Sequence, residues 1–156
     1  MPADPTARER RRRNAVAGGY SLRRVPVPTA TIVAVGALVP EALLAADRLN
    51  DQGHPVDVVC VTSPDLLFRA LQARRGIGGA PTWILDILFP PDRQGPLVTV
   101  LDGHPHTLAF LAGVTKAAAT HLGVSNFGQS GDLESVYAYH RVDASSIVAA
   151  ALDLID

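Results

Sequence analysis

The stretch Val56-Asp-Val-Val-Cys-Val61, followed at once by Thr62-Ser-Pro-Asp65, decides the fold. Six residues, mostly β-branched, make a run of strand length, too short for a core helix, with no polar alternation to suggest a water-facing side. Ser63 before Pro64 then reads as a helix start, the hydroxyl capping free N–H groups and the proline preset for the first turn. A buried strand running straight into a capped helix is the signature of a βα unit, so the chain is read as α/β.

The same pattern recurs on both sides. Upstream, Thr29-Ala-Thr-Ile-Val-Ala-Val35 ends at Gly36, and a helix opened by Pro40 carries Leu43, Ala46 and Leu49 at helical spacing before Gly53 stops it. Tyr20 to Val25 reads as a short edge strand, because Pro26 and Pro28 cannot donate to a ladder. Downstream of the Pro64 helix, which ends at Gly76, lies a glycine-rich loop through Pro81. Trp83 to Phe89 is then either a short helix or an apolar strand, and periodicity does not separate the two. Leu97 to Leu101 reads as a strand, Thr107 to Thr115 as a helix, Thr120 to Val124 as a last strand, Leu133 to Tyr139 as a short helix, and Asp143 as the cap of a closing helix. The expectation is a small, mostly parallel sheet of four or five strands covered on both faces.

Composition bounds the rest. The 156 residues, 47% hydrophobic and 5% aromatic with net charge −1, fit one globular domain. Cys60 is the sole cysteine, so no disulfide forms within the chain, and its place in an apolar strand makes it a small core residue. No apolar run reaches the roughly 18 residues that span a bilayer. The chain is expected to be cytoplasmic, with neither a membrane nor a nucleic acid as partner. Charge is uneven: residues 1–24 hold seven Arg against Asp4 and Glu9, while the remainder holds seven basic and thirteen acidic residues. With two prolines, two glycines and few apolar residues, positions 1–19 read as a disordered basic tail or linker remnant, and 20–156 as the domain.

Two segments carry candidate chemistry. Asp102-Gly-His-Pro-His106 follows the carboxyl end of a strand, where open α/β sheets bind ligands. Asp102, His104 and His106 suit metal ligation or general acid–base work, and equally a hydrogen-bonded turn or subunit contact. Phe127-Gly-Gln-Ser-Gly131 leads into a helix, so Phe127, Gly128 and Ser130 either present backbone donors to an anion or form a flexible loop in which Ser130 or Asp132 caps the helix. Neither segment has the spacing of a phosphate-binding or metal motif, and both are held as a ligand or interface turn. No catalytic, cofactor or metal residue is assigned.

From Asn14 onward the chain resembles the C-terminal domain of transketolase-like, thiamine-diphosphate-dependent enzymes, and most of all the homodimeric pyruvate dehydrogenase (acetyl-transferring) component. The resemblance lies in Ala17-Gly-Gly-Tyr20, in Asp57-Val-Val-Cys-Val-Thr-Ser63, and in Leu122-Gly-Val-Ser-Asn-Phe-Gly-Gln-Ser130 with Asp143-Ala-Ser-Ser-Ile-Val-Ala-Ala-Ala-Leu152. It implies a three-layer αβα sandwich with one antiparallel edge strand. It further implies that thiamine diphosphate and magnesium are held by other domains, in a partner or parent enzyme. The chain, inactive alone, would serve in assembly as a detached domain or small subunit of a 2-oxo-acid dehydrogenase, paired with a second copy or with the cofactor-binding subunit. Two alternatives stand beside this: a subunit of an active split enzyme, and a stand-alone domain binding a small molecule or anion.

Overall fold

The computed structural model describes residues 4–126 and 128–155, so Phe127 and the two chain ends lie outside the described residues. A five-stranded sheet runs in the order β1-β3-β2-β4-β5. The strands are β1 (Gly19–Arg23), β2 (Ala30–Val35), β3 (Val56–Val61), β4 (Leu97–Val100) and β5 (Ala119–Leu122). All neighbours are parallel except β1, which pairs antiparallel with β3, Gly19 opposite Val61, with a break in register between Ser21 and Arg23.

Two layers of helices enclose the sheet. On one face lie α2 (Val39–Asp51) and α7 (Ala144–Ile155), packed on Ile32, Ala34, Val58, Val98 and Val100. Alanine at most of their core positions, among them Ala42, Ala45, Ala46, Ala150 and Ala151, keeps both helices close to the strands. On the other face α3 (Pro64–Arg74), α4 (Trp83–Leu88) and a 3-10 turn (Pro105–Leu111) bury Leu67, Ile84, Leu85, Leu88, Leu108 and Leu111 against Val33, Val59, Val61 and Leu97. The architecture is the expected three-layer αβα sandwich. No helix among the described residues is long and apolar enough to cross a membrane.

Several boundaries differ from the sequence reading for identifiable reasons. Trp83 to Leu88 resolves as helix, since Ile84, Leu85 and Leu88 then share one buried side. The segment expected as one helix from Thr107 is a 3-10 turn followed by the short α5 (Ala112–Thr115). Leu108 and Leu111, three apart, align on a 3-10 turn, whose period is three. Asp143 stands just before α7, its carboxylate accepting from the Ser146 hydroxyl and its carbonyl from the Ile147 N–H, while the Ala144 N–H donates to Glu41 Oε2 of α2 at 2.8 Å.

The largest correction concerns the N-terminal segment expected to be disordered. Pro5–Val16 form a helix, α1, whose N-cap Asp4 accepts from the amides of Thr6 and Ala7. None of its residues is buried. It is held by its arginines: the Arg13 guanidinium lies 4.5 Å from the Trp83 ring centroid and that of Arg11 5.3 Å from Tyr20. Counting apolar residues misses this, because the arginines use aromatic faces belonging to other elements. Gly18 and Gly19 carry the chain from α1 into β1; a Cβ on Gly18 would sit 2.8 Å from Leu67 Cδ2 and one on Gly19 2.8 Å from the Cys60 carbonyl oxygen.

Asp57 ties these parts together. It is fully buried on β3, yet accepts from Arg24 (2.7 Å), from Arg93 through both Nε and Nη2 (2.9 Å each) and from the Val25 N–H (2.9 Å). Arg24 also donates to the carbonyls of Ile87 and Leu88 at the end of α4. Burial alone pushes this carboxyl up, but the hydrogen bonds from Arg93, Val25 and Arg24 outweigh it and hold it below the ordinary value of 3.8. Its stabilising contribution is therefore complete above that value and is lost as pH falls through the folded one.

Asp57→Asn should lower the unfolding free energy, measured in urea, by about 3–5 kcal/mol, the usual cost of breaking a buried pair. It should also flatten the fall in stability on acidification below about pH 4. Loss of stability with an unchanged acid limb would mean that the carboxylate is held by something other than its charge.

Candidate functional site

Strand order creates one distinguished place on the sheet. From β2 the chain moves outward through α2 to β3, then returns through α3 and α4 to β4 on the opposite side of β2. The connections leaving the carboxyl ends of β2 and β4 therefore turn to opposite faces, the switch point where open α/β sheets leave a crevice. Gly36 leaves β2 in a left-handed conformation, φ 58°, and Asp102 leaves β4 beside it; a Cβ on Gly36 would lie 3.9 Å from Asp102 Oδ1.

The turn from Asp102 to His106 is locked from below. The Val124 N–H donates to the Gly103 carbonyl at 2.9 Å and the Thr107 N–H to that of His104 at 3.0 Å. Gly123, leaving β5, packs so closely that a Cβ there would stand 2.5 Å from the Gly103 oxygen and 2.9 Å from the Pro105 nitrogen. On this base the two histidines come together. His104 Nδ1 accepts from the His106 N–H at 3.3 Å and also pairs with His106 Nδ1, and the rings meet edge to face at 4.4 Å. Both rings are exposed.

None of the hydrogen bonds of either histidine recorded among the described residues runs to Asp102. The carboxylate therefore does not orient an imidazole as a general base would require. Among the described residues no group of three or more His, Cys, Asp and Glu stands close enough to hold a metal. Instead His106 looks toward α3: with Pro64, Asp65, Phe68, Thr107 and Phe110 it lines a shallow depression of about 360 Å3. Phe68 and Phe110 meet edge to face at 5.5 Å across its floor.

This depression borders an apolar surface. Leu66, Phe68 and Ile77 are 40%, 42% and 62% exposed, and a second hollow of about 500 Å3 runs from them along Gly78, Gly79 and Ala80. Clusters of exposed large apolar side chains mark contact surfaces. Sequence reading missed it because Leu66 and Phe68 sit in a helix whose other face is core; only the placement of Phe110 and Ile77 beside them reveals the patch.

Of the second candidate segment, Phe127 lies outside the described residues, and Gly128 and Ser130 are exposed in the loop before α6 (Leu133–Tyr139). The cap of α6 is Asp132, accepting from the Ser135 N–H at 3.0 Å and hydroxyl at 2.7 Å. Those Ser135 bonds hold the Asp132 carboxyl below its ordinary range. His121 and Asp57 were not candidates on sequence. His121 on β5 is half-buried, paired with Thr99 Oγ1 at 2.9 Å, and its burial pushes the imidazole pKa down. For Asp57 the signal was present: a lone acid in an otherwise apolar strand must find a cation.

Comparison with known proteins gives a consistent result. The family described as transketolase-like TK C-terminal domain matches residues 18–143. The chromosomal transketolase of Cupriavidus necator is 31% identical over 139 residues, 89% of this chain and 18% of that protein. The plasmid transketolase of the same organism is 30% identical over the same share. Among solved structures, Campylobacter jejuni transketolase superposes with a TM-score of 0.66 at 21% identity, over 88% of this chain and 18% of its own. A split-gene transketolase described as an inactive beta4 tetramer superposes with a TM-score of 0.56 at 20% identity, over 89% of this chain and 41% of its own. These structural likenesses show the fold, and the chain spans 18% of the length of the curated relatives it matches.

Two measurements check the site geometry. Gly123→Ala should destabilise the chain by about 1–3 kcal/mol in urea, the usual cost of overpacking, whereas Gly128→Ala, with nothing within 4 Å, should be far milder. In a proton NMR titration the His121 ring should titrate below 6.5, its ordinary value. Its neutral form is favoured in the fold, so this contribution is present above that value and is lost as pH falls below it. A His121 midpoint at or above 6.5 would contradict the buried placement.

Proposed function

The chain belongs to the transketolase-like TK C-terminal domain family, and from that premise we propose that it is the assembly module of a thiamine-diphosphate enzyme whose cofactor is held by other domains. What carries the reading is proportion. The match fills most of this chain but under a fifth of its relatives, so the body is a C-terminal unit and the larger part of such enzymes lies in other domains. The exposed patch of Leu66, Phe68 and Ile77, bordered by Phe110 and the His104–His106 turn, supports subunit contact as the task.

The contact is made either with a second copy or with a cofactor-binding subunit. The split-gene neighbour is described as an inactive beta4 tetramer, which supports association with further copies, while its split gene keeps a separate subunit as the other arrangement. For the parent reaction we propose 2-oxo-acid chemistry of the pyruvate dehydrogenase kind, on the resemblance in Leu122–Ser130 and Asp143–Leu152. The relatives matched over the whole body are transketolases, which makes ketol transfer the second reading.

Purified alone and supplied with thiamine diphosphate, magnesium and pyruvate, the chain should produce no carbon dioxide above background. Light scattering should find it self-associated, or copurification with mass analysis should find it bound to a thiamine-enzyme subunit. Phe68→Glu should weaken that association at least tenfold, a loss typical of an interface anchor. Turnover by the chain alone would overturn the reading, as would a monomer that takes no such partner.

A further inference from the structure

A cavity of about 440 Å3 lies between α1 and the outer side of β1, and its polar lining is Arg10, Arg11, Asn14, Tyr20, Ser21 and Arg24. None of the described residues lining it is acidic. Arg24 pairs with Asp57, a carboxylate it shares with Arg93, which has Asp92 beside it as well. The positive charge of the cavity is that of Arg10 and Arg11 on the helix above, with no carboxylate among the described lining residues to answer it.

Two of the cations are held in place. Arg24 is fixed by Asp57 and by the carbonyls of Ile87 and Leu88, and Arg11 rests against the Tyr20 ring. Asn14, Tyr20 and Ser21 supply neutral hydrogen-bonding groups between the cations. β1 is the end strand of the sheet among the described residues, and its Tyr20, Ser21 and Leu22 line the cavity. Arg10 and Arg11 with the neighbouring neutral groups suit the oxygens of a compact dianion, while Arg24, whose Nη2 donates to Ile87 and Leu88 and whose Nη1 donates to Asp57, adds its charge beside them. The volume falls in the ~300–1,000 Å3 range of small-molecule sites, which leaves room for organic substance beyond one anionic group.

From this geometry we propose that the α1–β1 cavity is a binding site for a small phosphomonoester. The site is separate from the strand-end turns and from the apolar patch, and does not depend on the assembly role.

Isothermal titration of the full chain at low ionic strength tests it, with glycerol 3-phosphate as the probe and glycerol, inorganic phosphate and a short single-stranded oligonucleotide beside it. Glycerol 3-phosphate should bind saturably, more tightly than inorganic phosphate, and glycerol should give no heat. Arg10→Glu should weaken binding at least tenfold. Arg12→Glu, the same charge change on the same helix but outside the cavity lining, should alter it less than twofold. Asn14→Ala, which leaves every charge and both cation–aromatic contacts in place, should weaken it about threefold, with circular dichroism confirming in each case that α1 is retained. Equal losses from Arg10→Glu and Arg12→Glu, or an oligonucleotide binding above the phosphomonoester, would reduce the site to diffuse basic charge and overturn the proposal. Equal affinity for inorganic phosphate would overturn its ester specificity, and absence of saturable binding would overturn it whole.

Discussion

A carboxylate with no exposure to water is tenable only if its charge is answered on the spot, and around Asp57 that requirement recruits three residues from two separate parts of the chain. Arg24 is drawn in from the end of β1, Val25 contributes its amide, and Arg93 reaches back from the turn after α4. Arg24 then carries the constraint on to the carbonyls of α4. A hydrophobic residue at this position would pack equally well against several arrangements of those segments. An ion set with fixed hydrogen-bond directions accepts few, which makes Asp57 the point fixing how the edge strand and the α4 layer meet the sheet.

The consequences divide the molecule into two ends. At the amino ends of the strands the sheet is closed by the Asp57 ions and by the Pro55 carbonyl, which accepts from both the amide and the hydroxyl of Thr29. At the carboxyl ends the connections are short and wet, with the turn from Asp102 to His106 standing on Gly123 and opening toward α3. The rigid end carries the charged network and the open end the apolar contact surface, so firm ionic packing and partner contact do not compete for the same residues.

Much of this architecture was legible because strand and helix alternate with unambiguous punctuation. Ser63 caps α3 with its hydroxyl on the Leu66 amide, and Gly53, the expected stop, follows α2 with φ 85°. What was not legible depended on partners distant in sequence. α1 has no apolar stripe to betray it, since its arginines lean on Trp83 and Tyr20. The choice between helix and strand for Trp83 to Leu88 was settled by which core it had to fill. The histidine turn was located correctly as a strand-end feature, but its neighbours were set by α3, about forty positions upstream, and no local pattern reports that.

The register of β1 bears on how the chain comes to be folded. Its partner is β3, so Gly19 waits for Val61 while the intervening β2 forms elsewhere in the sheet. β1 therefore has no ladder to join until β3 exists. Its attachment rests on that ladder, on the Gly18 carbonyl accepting from the Thr62 and Ser63 amides, on the Ala15 carbonyl accepting from the Thr62 hydroxyl, on the two cation–aromatic contacts of α1 and on the Asp57 ions. These contacts run to Thr62, Trp83 and Leu88, so the edge strand and its helix are closed by pairings of high sequence separation, the kind whose loop-closure cost slows folding.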